Sequence, residues 1–115
     1  MKYIYIAGPY SKGDTFMNIR HALTVAEELI AAGFEPYVPH LAGFWHYLSP
    51  HAYDYWMKRD EAWLLKCDAL VRIPGESEGA DKEVSVALLH SIPVLMENYD
   101  IQEVIKDLRL MRTKV

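Results

Sequence analysis

Short apolar runs alternate with helix-spaced apolar stripes along the whole chain, and this alternation constrains the fold more than any other feature. Residues 3–7 are β-branched and aromatic and end at Gly8-Pro9, which predicts a buried first strand. Asp14 or Thr15 then caps a helix carrying Ile19, Ala22, Leu23, Ala26, Leu29 and Ile30, stopped by Gly33. Residues 35–40 read as a second strand, with Pro36 and Pro39 marking its ends or a sheet edge. A helix is predicted over 53–67, a third strand over 69–74, a helix over 79–91 and a fourth strand over 92–97. A last helix, opened by Asp100 and Glu103 at capping-box spacing, carries Ile101, Val104, Ile105, Leu108 and Met111. Residues 39–50 show no period and read as an irregular loop, either a lid or binding loop or an aromatic patch at a subunit contact. The order βαβαβαβα predicts a mostly parallel sheet with helices on both faces, in one domain spanning 1–115. Ligands of such sheets sit beyond the carboxyl ends of the strands.

Two carboxylates stand where a helix should be apolar. With roughly 100° per residue, Ala80, Val84, Ala87 and Leu88 share one face of the third helix, and Glu83 falls inside it. Asp60 falls in the middle of the stripe formed by Tyr53, Trp56, Met57, Trp63, Leu64 and Cys67, with a tryptophan one turn to either side. An acid in such a place is costly unless something uses it. Burial opposes ionisation, while the helix N-terminus near Glu83 favours it. The plainer alternative is that each acid reaches solvent or a structural partner.

Composition removes several classes of function. With 115 residues, 51% hydrophobic and 24% charged, the chain is globular rather than disordered. A net charge of −4, with no basic cluster longer than Lys58-Arg59, argues against polymeric nucleic acid as a partner. A single nucleotide remains compatible, because backbone amides can hold its phosphate. Cys67 is the sole cysteine, so neither an intrachain disulfide nor a cysteine metal cluster is available. His40, His46 and His51 lack a supporting acid or cysteine at ligand spacing, so no metal and no cofactor is expected. The apolar N-terminal run is too short for a secretion signal and no run would span a bilayer, so a cytoplasmic protein without a membrane partner is expected.

Taken in order, Tyr5-Ile6-Ala7-Gly8-Pro9-Tyr10-Ser11, Asp60, Cys67-Asp68-Ala69 and Ser77-Glu78-Gly79-Ala80-Asp81-Lys82-Glu83 resemble the nucleoside 2-deoxyribosyltransferase superfamily. That superfamily includes deoxynucleoside-monophosphate N-glycosidases and small uncharacterised relatives, often phage-encoded. The resemblance implies a flavodoxin-like fold and cleavage of the bond between a base and its deoxyribose. It implies Glu83 as nucleophile, Asp60 as the residue that contacts the base or helps to protonate it, and Tyr5 as the hydroxyl orienting Glu83. Gly8, Pro9, Tyr10, Ser11, His40, Trp56, Ser77 and Gly79 are the substrate-binding candidates.

Asn98, just after the last strand, is the candidate to complete a neighbouring subunit's site, which implies a homodimer or larger homo-oligomer. Ser77 stands where the transferases have an aspartate and resembles the monophosphate glycosidases. The first-loop arginine of those enzymes is replaced by Ser11, followed by Lys12. Nucleoside and nucleotide therefore both stay open, as does a non-catalytic nucleotide- or nucleotide-sugar-binding module on the same fold.

Overall fold

In a computed structural model, residues 1–113 are described. The strands are β1 (Tyr3–Ala7), β2 (Glu35–Tyr37), β3 (Ala69–Arg72) and β4 (Val94–Met96). The helices are α1 (Thr15–Ala31), α2 (Ala42–Leu48), α3 (Tyr53–Leu64), α4 (Glu78–Leu89) and α5 (Ile101–Thr113), with a 3₁₀ turn at Pro39–Leu41. All pairings are parallel, in the order β2-β1-β3-β4, as the alternation requires. Pro36 pairs with Ile4 on the edge strand, where a missing N–H costs no ladder bond on the open side.

Period-two alternation in the central strands divides the core in two. Ile4, Ile6, Ala69 and Val71 pack against Ala22, Val25, Ala26 and Leu29 of α1 and Val104, Ile105 and Leu108 of α5. On the opposite face Tyr5, Ala7 and Leu70 meet Leu64 of α3 and Ala80 and Ala87 of α4. The chain leaves β1 towards β2 on one side and reaches β3 on the other. The gap between the carboxyl ends of β1 and β3 is thus the switch point of the sheet.

The ends of the elements are set locally. Asp14 accepts the Met17 amide at 3.1 Å and caps α1, and Gly33 leaves that helix at φ +93°, a conformation glycine adopts without strain. Asp68 accepts the amides of Lys2 at 2.7 Å and Tyr3 at 2.9 Å, tying the start of β1 to the approach of β3. Among the described residues no helix is long and apolar enough to cross a membrane.

Three sequence expectations are corrected. Residues 39–50 are not an irregular loop: they form the 3₁₀ turn and α2, so the order is βαβααβαβα. Nearly every position of α2 is apolar or aromatic and none is buried, which leaves no polar face to reveal a period. The buried residues of α4 are Ala80, Glu83 and Ala87, whereas Leu88 is 64% exposed. The helix is therefore rotated so that Glu83 lies deeper in the protein than the Ala80–Val84–Leu88 face suggested. In α3 only Leu64 is buried, and Tyr53 and Trp63 are largely open to solvent.

The two leucines that looked equivalent in the sequence should separate experimentally. Leu64→Ala is expected to cost about 2–5 kcal/mol in chemical denaturation, through the cavity it leaves beneath α3. Leu88→Ala should stay within about 0.5 kcal/mol. Equal losses would contradict the orientation of α4.

Candidate active site

A cleft of about 560 Å³ opens at the switch point. The loop after β1 contributes Gly8, Tyr10, Ser11 and Lys12, and the turn after β2 contributes Pro39 and His40. Ala42, Gly43 and His46 come from α2, and Tyr53, Trp56, Met57 and Asp60 from α3, with His51 between them. Ser77 to Ala80 and Glu83 complete it from the start of α4. Gly8, Tyr10, Ser11, His40, Trp56, Asp60, Ser77, Gly79 and Glu83 are thus brought together from four separate segments.

Tyr5 lies beneath this group. It is fully buried in the middle of β1, and its hydroxyl donates to Oε2 of Glu83. Pro9 does not line the cleft; its carbonyl accepts from Nε2 of His40 at 3.1 Å. Asn98 also lies outside the cleft. Ser77 caps α4 by accepting the Ala80 amide at 3.1 Å. Gly43 packs directly against the Tyr10 hydroxyl, so a Cβ there would displace the end of that side chain.

Sequence reasoning missed Arg72. Alternation places it on the Tyr5 face of the sheet, with 6% of its surface exposed. Its guanidinium donates to the carbonyl of Ile73, to that of Gly75 at 2.9 Å and to Oδ1 of Asp81 at 3.0 Å. It therefore fastens the β3–α4 turn to the first turn of α4 and fixes where Glu83 points. An arginine inside the apolar run Ala69-Leu70-Val71-Arg72-Ile73 was the available signal. His46, His51, Tyr53, Met57 and Lys12 were also not singled out as cleft residues. Tyr53 and Met57 were read only as members of the stripe around Asp60, and no spacing pattern marks the others, since they converge only through the fold.

A family described as "Domain of unknown function (DUF7768)" matches residues 2–97. The chain belongs to this family. No curated protein sequence matches it. Among solved structures, a 2-deoxyribosyltransferase from the psychrotolerant bacterium Bacillus psychrosaccharolyticus is similar with a TM-score of 0.59 and 17% identity, over 82% of this chain and 70% of that one. A conserved protein from Enterococcus faecalis V583 gives a TM-score of 0.68 and 22% identity, over 84% and 62% of the two chains. A 2-deoxyribosyltransferase from Leishmania mexicana gives 0.61 and 19%, over 84% and 63%. This DUF7768 domain thus has the flavodoxin-like α/β fold of the nucleoside 2-deoxyribosyltransferase superfamily, and it spans less than two thirds of the length of two of these three proteins.

In this family member burial dominates the electrostatics of the two acids. Burial pushes the Glu83 carboxyl up to about 7; the Tyr5 hydrogen bond and the Arg72 charge pull it down, while the Asp60 charge adds to the rise. Burial likewise raises Asp60 to about 6, against the Arg59 guanidinium and the Tyr37 hydroxyl. Tyr37 is stacked between Tyr5 at 5.5 Å and Trp63 at 5.4 Å, a column of rings that shields this side of the cleft. Trp63 therefore acts on the site through Tyr37 rather than by flanking Asp60 within the cleft.

Among the described residues, the buried side-chain atoms without a hydrogen-bond partner are Oδ1 of Asp60 and Nδ1 of His40. Burial depresses the basicity of His40 despite its bonds to backbone carbonyls, so Nδ1 is left as a lone-pair acceptor. Cys67 is pushed up to about 11, first by burial, which removes the thiolate as a competing nucleophile.

The raised carboxyl has a consequence for stability. An acid held above its ordinary value stabilises the fold while protonated, and that contribution is lost as pH rises through the folded value. For Glu83 the window runs from about 4.5 to about 7. Between pH 5 and pH 8 the wild type should lose roughly 2–3 kcal/mol relative to Glu83→Gln, read as a divergence of thermal melts. Parallel melting curves would mean that the carboxyl is not desolvated.

Proposed function

We propose that the domain cleaves the N-glycosidic bond of a small deoxynucleoside or deoxynucleoside 5′-monophosphate, through a covalent glycosyl-Glu83 intermediate. The observation that carries this reading is the buried Tyr5–Glu83 hydrogen bond at the floor of a cleft that also holds the desolvated Asp60. Two carboxyls with different surroundings are what bond cleavage through an oxocarbenium-like state needs. The Tyr5 hydroxyl stabilises the ionised form of Glu83. Burial raises both carboxyls, Glu83 to about 7 and Asp60 to about 6, so the pair holds one proton near neutral pH; the reactive form is the one in which that proton sits on Asp60, whose Oδ1 has no hydrogen-bond partner.

In this mechanism a Glu83 oxygen forms a bond to C1′ of the sugar as the C1′–N bond breaks. The departing nitrogen takes the proton of Asp60. Water then attacks C1′, gives a proton back to Asp60 and releases Glu83. A second base attacking in place of water, with its N–H proton passing to Asp60, turns hydrolysis into base exchange. The acids titrate as a pair, and the singly protonated form is the reactive one.

Chromatography of free base after incubation with deoxynucleosides and their 5′-monophosphates tests the proposal. The wild type should release base from at least one member of the panel, and Glu83→Ala should release it about 10³-fold more slowly. The pH–rate profile should be bell-shaped with its optimum between about 6 and about 7. Tyr5→Phe should shift the basic limb to higher pH, because the hydroxyl that lowers Glu83, the higher-titrating acid of the pair, is gone. Release by Glu83→Ala at the wild-type rate would rule the mechanism out.

We also propose a homodimer or larger assembly. Phe44, Tyr47, Leu48, Leu88 and Leu89 are all more than half exposed, and an assembly would cover them. Sedimentation equilibrium should give a multiple of the 13.3 kDa chain mass, and a monomer at micromolar concentration would refute this part.

A further inference from the structure

The α2–α3 side of the cleft is built from rings, His46, His51, Tyr53 and Trp56, whereas the β1 and α4 side is built from Gly8, Ser11, Ser77 and Gly79. A flat heteroaromatic ring suits the first and a sugar the second. Within the ring wall the orientation of one side chain is determined by its partners. Nδ1 of His46 accepts the indole N–H of Trp56 at 2.8 Å and the backbone N–H of His51 at 3.2 Å. Both partners can only donate, so Nδ1 carries no proton and the ring hydrogen is on Nε2. Trp56 is itself held by edge contacts to Trp45 at 5.7 Å and His51 at 5.5 Å, and His51 stacks on Tyr55 at 3.9 Å. With Nδ1 occupied, the imidazole, which lines the cleft, has Nε2–H as its remaining hydrogen-bond group.

Resting on the glycosidic reading above, we infer that His46 selects the base: its Nε2–H donates to a ring carbonyl oxygen, so keto bases are taken in preference to amino bases. An exocyclic amino group at that position would set donor against donor, and the two N–H groups on Nδ1 hold the tautomer that would have to change to accept it. Nothing in the reaction at C1′ requires this residue. Its role is discrimination between bases rather than bond cleavage.

Equilibrium binding of the free bases, read by quenching of tryptophan fluorescence, tests the inference directly. Hypoxanthine is compared with adenine, and uracil with cytosine. The wild type should bind each keto base about tenfold more tightly than its amino counterpart. His46→Phe, which keeps a ring on an exposed position, should bring each pair to within about threefold. His46→Gln, whose amide nitrogen takes the place of Nε2–H, should restore the preference. Equal binding by the wild type, a preference that survives in His46→Phe, or no binding of any of the four bases would overturn the inference. Base release from the four matching deoxynucleosides, measured in parallel, separates the two ideas. Keto-selective binding without release overturns the glycosidic reading alone, and release without selectivity overturns the role of His46 alone.

Discussion

A tyrosine that is fully buried on a central strand must find an acceptor for its hydroxyl, and a carboxyl on the inward face of a helix must find a donor. The Tyr5–Glu83 hydrogen bond meets both needs at once. Much else follows from it. The bond sets the rotation of α4 about its own axis, which turns Leu88 to solvent and Glu83 inward. It ties α4 to β1 across the switch point, where the sheet leaves a natural opening. Arg72 secures the same helix from the other side through Gly75 and Asp81, so the position of Glu83 is determined by contacts to both central strands.

The electrostatics are a result of that architecture. Each acid is costly to ionise in its own surroundings, but the surroundings differ. Glu83 has the buried Tyr5 hydroxyl and the buried Arg72 guanidinium nearby, whereas Asp60 has the less buried Tyr37 hydroxyl, the Arg59 guanidinium and one oxygen without a partner. The same desolvation that lowers stability at neutral pH keeps a proton within the pair. Stability and readiness for proton transfer are thereby linked through the same two side chains.

The sequence made the sheet legible because its strands are short apolar runs bounded by Gly, Pro and Asp, and its helices carry period-3.6 stripes. Asp60 and Glu83 were legible for the same reason: each is a polar residue interrupting a stripe. The face of α4 was harder to read. Val84, Leu88 and Ala87 are all apolar, and hydrophobicity alone does not say which of them a tyrosine hydroxyl will pull towards the sheet. The helix at Ala42–Leu48 was hidden because a segment apolar on every side has no period. Arg72 was passed over because a charge in a strand is informative only when its register is known. The histidine pair, His46 and His51, converges on Trp56 through a turn between two helices, which spacing does not encode.

The helix α2 rests against the rest of the protein by placing the backbone of Gly43 on the Tyr10 hydroxyl, and it contributes no buried residue to either core. The chain is therefore partitioned into a scaffold that bears the stability and a cleft-lining segment that adds no buried residue to it. Substitutions in that segment can accumulate at little thermodynamic cost, while those around Tyr5 cannot. For evolution or for directed diversification, 42–52 is the stretch where the lining of the cleft can change without first stabilising the fold.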